Sequence, residues 1–428
     1  MIFKKLSELS NEELSGLLSR TLDFQKVIPN VVEILNDVES DGDKALTEYT
    51  ERFDGARIGK FKVSQEEIGE AYDKVPENLK RALEISLENI VAFHHRQLDR
   101  DFWMTEVSPG VMAGQKIVPL GAVGAYVPGG RASYPSSALM TVLPAKVAGV
   151  SQVVVCTPPN KEGGVEPLTL VAADMAGADA IYKVGGVQAL AAMAFGTETV
   201  PKVEVIVGPG NAYVTAAKLL LRNTVEIDMP AGPSEVLIIA DYTAEPEVLA
   251  ADLLAQAEHD PLSISVLVST DEDLSIATKA ELDKQVKKVA RKEIVADSLE
   301  RSAILTAATM EDAITFSNAF APEHLEIIAK DTMEVLGQIK NAGSVFLGPY
   351  TPVAAGDYAS GTNHVLPTSG YARVFSGLNS DRFVKKITVQ QITKEGLGDL
   401  SETIISLADA EGLKAHAESV RMRLVEKK

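Results

Sequence analysis

Val203-Glu204-Val205-Ile206-Val207-Gly208-Pro209-Gly210-Asn211 leads into the Ala/Leu-rich stretch from Ala212 to Leu221, and this succession decides the fold. A β-branched run that ends in a glycine turn and resumes as a helix is one unit of a parallel α/β sheet. Such a turn aims backbone amides and the positive end of a helix at an anion, for instance the pyrophosphate of a dinucleotide. The complete GxGxxG pattern does not follow, because Tyr213 stands where the third glycine belongs. Glu226 and Asp228 lie at about the distance expected of a ribose-binding acid. Alone, the turn fits either nucleotide binding or a plain strand-to-helix connection.

Working outward, the same texture recurs in Gly121 to Val127, Gln152 to Cys156, Ala180 to Val184 and Glu235 to Ala240. Val127-Pro128-Gly129-Gly130-Arg131 and Val184-Gly185-Gly186-Val187-Gln188 are two more glycine turns. Right-handed crossovers place the C-terminal ends of such strands on one sheet edge, where ligands collect, and the glycine turns are expected to share it. A second series predicts helix 244–259, strand 263–269, helix 271–293, strand 302–306, helix 310–319, strand 324–329, helix 332–339 and strand 343–347. Residues 7–100 read as mostly helical, beginning at the capping box Ser10-Asn11-Glu12-Glu13. Beyond 378 the chain turns polar and irregular before a last helix over 408–426. The expected class is α/β, with two Rossmann-like, incomplete parallel-sheet domains, a helical N-terminal segment and an extended, partly helical C-terminal tail. The expected borders are 1–120 plus 236–378 for the first domain, 121–235 for a second domain inserted into it, and 379–428 for the tail.

With 428 residues, 46% hydrophobic and 24% charged, the chain can bury a large core. No apolar stretch approaches the roughly 18 residues of a membrane span; even 168–195 is broken by Asp174, Asp179 and Lys183. A formal charge of −19 disfavours nucleic acid as a partner. The start, Met1 to Glu8, lacks the apolar run of a secretory signal, and the lone Cys156 cannot form an internal disulfide. A cytoplasmic protein is therefore expected.

Of six histidines, four stand near carboxylates or amides: His259, His324, His364 and His416. Gln256 and His259 are three apart on helix 244–259, so both leave one face, and with a carboxylate such as Asp357 they would suit zinc. A histidine meeting the terminal carbonyls of its helix would use the same residues. Glu323-His324 opens a strand with an acid and an imidazole side by side, facing opposite ways, which is a candidate acid/base pair. Asp357 to His364 is a polar, Gly-interrupted loop of the functional kind, and Met229 to Glu235 is a similar turn before a buried strand. His94 and His95 end a helix and point about 100° apart, so they are expected to be partly exposed and structural.

Taken together, Gly208 to Asn211 (GPGN), Asp228 to Glu235 (DMPAGPSE), Gln256 to His259 (QAEH), Ala321 to Glu326 (APEHLE), Gly356 to His364 (GDYASGTNH) and Glu411 to His416 (EGLKAH) closely resemble histidinol dehydrogenase. The likeness spans essentially the whole chain. It implies a zinc-dependent, NAD-linked enzyme that oxidises L-histidinol to L-histidine through the aldehyde, the last steps of histidine biosynthesis. By matching motif, Gln256, His259, Asp357 and His416 would bind one Zn2+ per subunit, and Glu323 and His324 would be the acid/base pair. Tyr126, Gln188 and Asn211 would contact NAD. Ser234, His364 and Glu411 would contact substrate, alongside His324 and the metal ligands. The family is a homodimer with exchanged tails, so Glu411 and His416 would come from the partner subunit.

Histidinol carries an imidazole and an amine, both good zinc ligands, so the ion can anchor it while its alcohol carbon faces the nicotinamide. Two readings compete. A zinc hydrolase would use the same ligands with Glu323 activating a metal-bound water, but helix-borne HExxH is missing and the glycine turns have no role in it. The other is a non-catalytic, metal-dependent binding protein.

Overall fold

The computed structural model describes residues 1–20, 24, 26–98, 100–129 and 134–425. Gly130 and Arg131 of the first glycine turn lie outside the described residues. The chain divides into two units, Met1–Gln97 with Gly121–Phe383, and Leu98–Leu120 with Val384–Lys428.

In the larger unit each expected strand forms, and the strands assemble into two fully parallel sheets. The first has the order Ala180–Lys183, Gln152–Thr157, Ala122–Tyr126, Val205–Val207, Glu226–Ile227. The second runs Ile2–Lys5, Ala303–Thr306, Ile264–Ser269, Glu235–Ala240, His324–Ile328, Ser344–Leu347. Numbered within each series, both read 3-2-1-4-5, the dinucleotide-fold order less its last strand, and the second gains the N-terminal strand at its edge. Val153, Val154 and Val155 are fully buried, as is Val236 to Ala240, because helices cover both sheet faces. Helices Ile28–Asp41 and Asp43–Asp54 share a core with Gly186–Phe195 and the first sheet. The Ser10 capping box closes as expected: its hydroxyl accepts from Glu13 N–H and the Glu13 carboxylate accepts from Ser10 N–H.

Three expectations are corrected. The helix expected over 271–293 stops at Gln285 and restarts as Lys292–Glu300. Leu282 and Val295 are buried in one core, whereas a straight helix would carry them about 20 Å apart. The polar stretch after 378 contains a strand, Val384–Ile392, which pairs antiparallel with Val111–Pro119, itself paired with Phe102–Ser108. This three-stranded sheet and helices Lys394–Ala410 and Lys414–Leu424 make up the smaller unit. His94 is buried, with Nδ1 on the Ile90 carbonyl at 2.8 Å, and only His95 is exposed. His324 opens its strand, so the candidate acid/base pair lies at the N-terminal edge of its sheet.

Candidate active site

The C-terminal edge of the first sheet collects the glycine turns. Tyr126 closes its strand, and its hydroxyl accepts from Gly186 N–H at 3.1 Å. Gln188 sits in the first turn of helix Gly186–Phe195. Asn211 caps helix Ala212–Leu221, its Oδ1 accepting from Tyr213 and Val214 N–H at 3.0 and 3.2 Å. Gln188 and Asn211 line a cleft of about 400 Å³ whose other wall includes Asn30, Glu33, Arg52 and Asp54. Nothing in the local sequence marks those four, because their place depends on helices more than 100 residues upstream folding over the sheet edge. Gly208 has φ +123°, and a Cβ there would stand 2.1 Å from the Tyr126 carbonyl oxygen, so only glycine fits.

Asp228 does not serve as a ribose acid. It is buried, pairs with Lys218 Nζ at 2.7 Å and accepts from Gly208 N–H at 2.8 Å, so it pins the turn from beneath. Glu226 is exposed and lies 3.9 Å from Arg222 Nε.

The second cluster forms where strands Glu235–Ala240 and His324–Ile328 begin. Glu323 and His324 are both buried. They do not face opposite ways: Glu323 precedes the strand and turns back, leaving its Oε2 3.5 Å from His324 Nδ1. Glu235 lies between them, donating its N–H to Glu323 Oε2 at 2.8 Å while its carbonyl meets His324 Nδ1 at 3.1 Å. The Ser234 hydroxyl lies near the same Glu323 carboxyl and favours its charged form. A carbonyl only accepts, so Nδ1 carries the proton and Nε2 holds the lone pair. That Nε2 is buried without a hydrogen-bond partner among the described residues, 3.8 Å from Asp357 Oδ1.

Burial, and after it the charges of His259 and His364, push His324 down to about 3. Burial likewise holds His364 down at about 4, with His259 adding to the shift, so the three imidazoles border one space. Burial raises Glu323 well above the ordinary carboxylate range, aided by the charges of Glu235 and Asp357. Burial alone pushes Asp357 up to about 7. His364 Nδ1 meets the Asp357 carbonyl at 3.1 Å, and its Nε2 is 3.4 Å from Ser137 Oγ on helix Pro135–Val147, a contact that no sequence signal announced.

Gln256 and His259 remain one turn apart, although the helix ends at Ala257 and His259 lies in the turn after it, its N–H on the Gln256 carbonyl at 3.3 Å. Burial, then Arg291, hold the His259 imidazole below its usual value against an opposing pull from Glu258. Among the described residues no group of three or more His, Cys, Asp or Glu gathers as a metal site. Yet the donors here fit a divalent cation. Among the described residues Asp357 is a largely buried carboxylate with no cationic side chain to lower it, and Gln256 Nε2 is buried without a hydrogen bond, so nothing fixes which of its amide atoms faces the site. Glu411 and His416 belong to the smaller unit, where both are exposed, the first just after helix Lys394–Ala410 and the second in helix Lys414–Leu424.

Comparison with known proteins places this geometry. A family model described as histidinol dehydrogenase matches residues 18–424. The chain is 56% identical over 423 residues to the histidinol dehydrogenase of Methanosarcina barkeri, covering 99% of this chain and 98% of that protein. It is 52% identical over 425 residues to that of Methanocaldococcus jannaschii, with 99% of each covered. The crystal structure of histidinol dehydrogenase from Elizabethkingia anophelis superposes with a TM-score of 0.94 at 42% identity, covering 99% of this chain and 98% of that one.

Proposed function

The chain belongs to the histidinol dehydrogenase family, and from that premise we propose how its own residues perform the reaction. It is an NAD-dependent oxidoreductase that oxidises histidinol in histidine biosynthesis. Two successive hydride transfers, by way of the aldehyde, take the alcohol to the carboxylate of L-histidine. The observation that carries the division of labour is the Glu235 clamp between Glu323 and His324, which leaves one buried imidazole nitrogen free.

In the first half-reaction His324 Nε2 takes the hydroxyl proton of histidinol as hydride leaves the carbinol carbon for the nicotinamide. The developing imidazolium gains from Asp357 at 3.8 Å and from the nearby Glu323 carboxyl. In the second, Glu323 removes a proton from water as it attacks the aldehyde, and the hydrate gives its hydride to a second NAD and its second proton to His324 Nε2. Glu323 holds its proton while the pocket is dry and uncharged, and cationic groups entering the site favour its ionised form.

Gln256, His259 and Asp357, with His416 of the partner subunit, would hold a zinc ion, one per subunit, which when bound would anchor the amine and imidazole of the substrate. Ser234, His364 and the partner subunit's Glu411 would border the substrate, Glu411 accepting a hydrogen bond from its amine N–H. Tyr126, Gln188 and Asn211 would contact NAD, with 121–235 as the cofactor-contacting segment and 379–428 as a tail exchanged in a homodimer. The enzyme would act in the cytoplasm; no helix among the described residues is long and apolar enough to cross a membrane. Reduction of NAD with histidinol, followed before and after chelation and again after zinc is restored, tests the reading. A rise in reduced cofactor that is lost and regained with the metal supports it, and a rise indifferent to chelation removes zinc from the account.

A further inference from the structure

Glu235 opens the strand at the switch point of the second sheet, and side chains take both of its main-chain groups there: Glu323 on the N–H and His324 on the carbonyl. Its own carboxylate is anchored from two directions. Oε2 receives Arg20 Nη1 in an ion pair whose side chains are 4% and 3% exposed, and Oε1 accepts from Ser369 N–H at 2.8 Å. Arg20 is itself held. Its Nη2 donates to the Phe320 carbonyl, and its guanidinium lies 3.5 Å from the centroid of the Phe320 ring.

The backbone around this cluster is strained. Among the described residues, Ala321 and Ser369 are the non-glycine positions with positive φ, at +52° and +54°. Ala321 ends helix Met310–Phe320 and sets the direction of Pro322 and Glu323. Ser369 presents its N–H to Glu235. Such strain persists only where the surroundings over-determine it, and both instances adjoin one cluster.

We propose that Glu235, anchored by Arg20, is the positioning residue of the acid/base pair, and that its main-chain N–H and carbonyl set the distance and orientation of Glu323 relative to His324. The N–H and the carbonyl lie in two rigid peptide planes that meet at the Glu235 Cα, and the strands paired on either side fix the dihedrals between them, so once its side chain is also anchored the two catalytic side chains are held together. This extends the roles assigned above to Glu323 and His324 and rests on them. Arg20 adds nothing to the chemistry directly; it stops the strand start from rotating or sliding.

The experiment uses the full-length holoenzyme carrying Glu235→Gln, Arg20→Lys or Arg20→Met, with Glu323→Gln and His324→Gln measured beside them. Alcohol and aldehyde oxidation are followed separately, with KM for each substrate, zinc content and thermal stability. The expected result for Glu235→Gln and Arg20→Met is a fall in kcat on the order of 100-fold, the scale of a misplacement near 1 Å. KM values and zinc content stay within twofold, and Arg20→Lys recovers part of kcat. The ratio of the two half-reactions also changes, since two groups are displaced unequally, which a merely structural pair would not produce. An unchanged kcat in Glu235→Gln overturns the proposal, as does a loss that tracks loss of folded protein in every variant. If Glu323→Gln and His324→Gln keep full kcat, the underlying acid/base assignment fails instead.

Discussion

The sheet around Ala122–Tyr126 and the sheet around Glu235–Ala240 share one strand order, yet their candidate functional residues gather at opposite edges. At the C-terminal edge of the first, helices Gly186–Phe195 and Ala212–Leu221 begin, offering amides and positive helix ends. At the N-terminal edge of the second, helices Pro246–Ala257 and Met310–Phe320 end, offering carbonyls and negative helix ends. One edge suits a phosphate-bearing cofactor, and the other suits a divalent cation. The same topology thus supplies two electrostatic environments, and the chemistry sorts itself by sign.

That contrast can be broken experimentally, and the strongest test removes the base. His324→Ala is expected to lower kcat by about 10²–10⁴-fold in both half-reactions, with KM for NAD unchanged in steady-state assays. Glu323→Gln is expected to slow aldehyde oxidation by about 10²-fold and largely spare alcohol oxidation; equal losses measured with the two substrates would refute the separation of roles.

Binding effects come next. Gln188→Ala should raise KM for NAD by roughly tenfold, the worth of about one hydrogen bond to a polar ligand, and leave KM for histidinol alone. Glu411→Ala should do the reverse by a similar factor. If titration shows that either variant weakens both ligands equally, the partition between edges is lost.

The smallest effect concerns pH. Glu326 lies on the His324–Ile328 strand, accepts from Val353 N–H at 3.0 Å and is raised by burial and then by the charge of Asp252. Its folded form therefore binds a proton more tightly than the unfolded chain does. The resulting stabilisation is complete below the ordinary carboxylate value and is lost as pH climbs through the raised folded value. Glu326→Gln should flatten this decline, adding about 1 kcal/mol on the alkaline side, or a few degrees in Tm at most. Melting curves at pH 5 and 9 that fall in parallel for both proteins would contradict it.

Much of this comparison was legible in the chain. Glycine at 208 and 210, β-branched runs and Ala-rich helices are local signals, and the strands they announce formed within two residues. Gln256 with His259 and Glu323 with His324 were visible because three-residue helical spacing and adjacency survive folding. The strand Val384–Ile392 was not, since its alternation is interrupted by Lys385-Lys386 and Gln390-Gln391 and its partner lies at Val111–Pro119, far upstream. Arg20 and Glu235 were equally hidden as a pair, being 215 positions apart.

By itself, then, the sequence determined the alternation of strand and helix, the turns that only glycine can make, and the inventory of imidazoles, carboxylates and amides available for chemistry. These follow from short-range sterics and periodicity. Tertiary structure alone decided that Asp228 pins a turn, that His94 is buried, and that Glu323 folds back beside His324 around Glu235. Each of those outcomes depends on which distant group arrives to satisfy a buried charge or hydrogen bond, and a linear chain carries no local record of it.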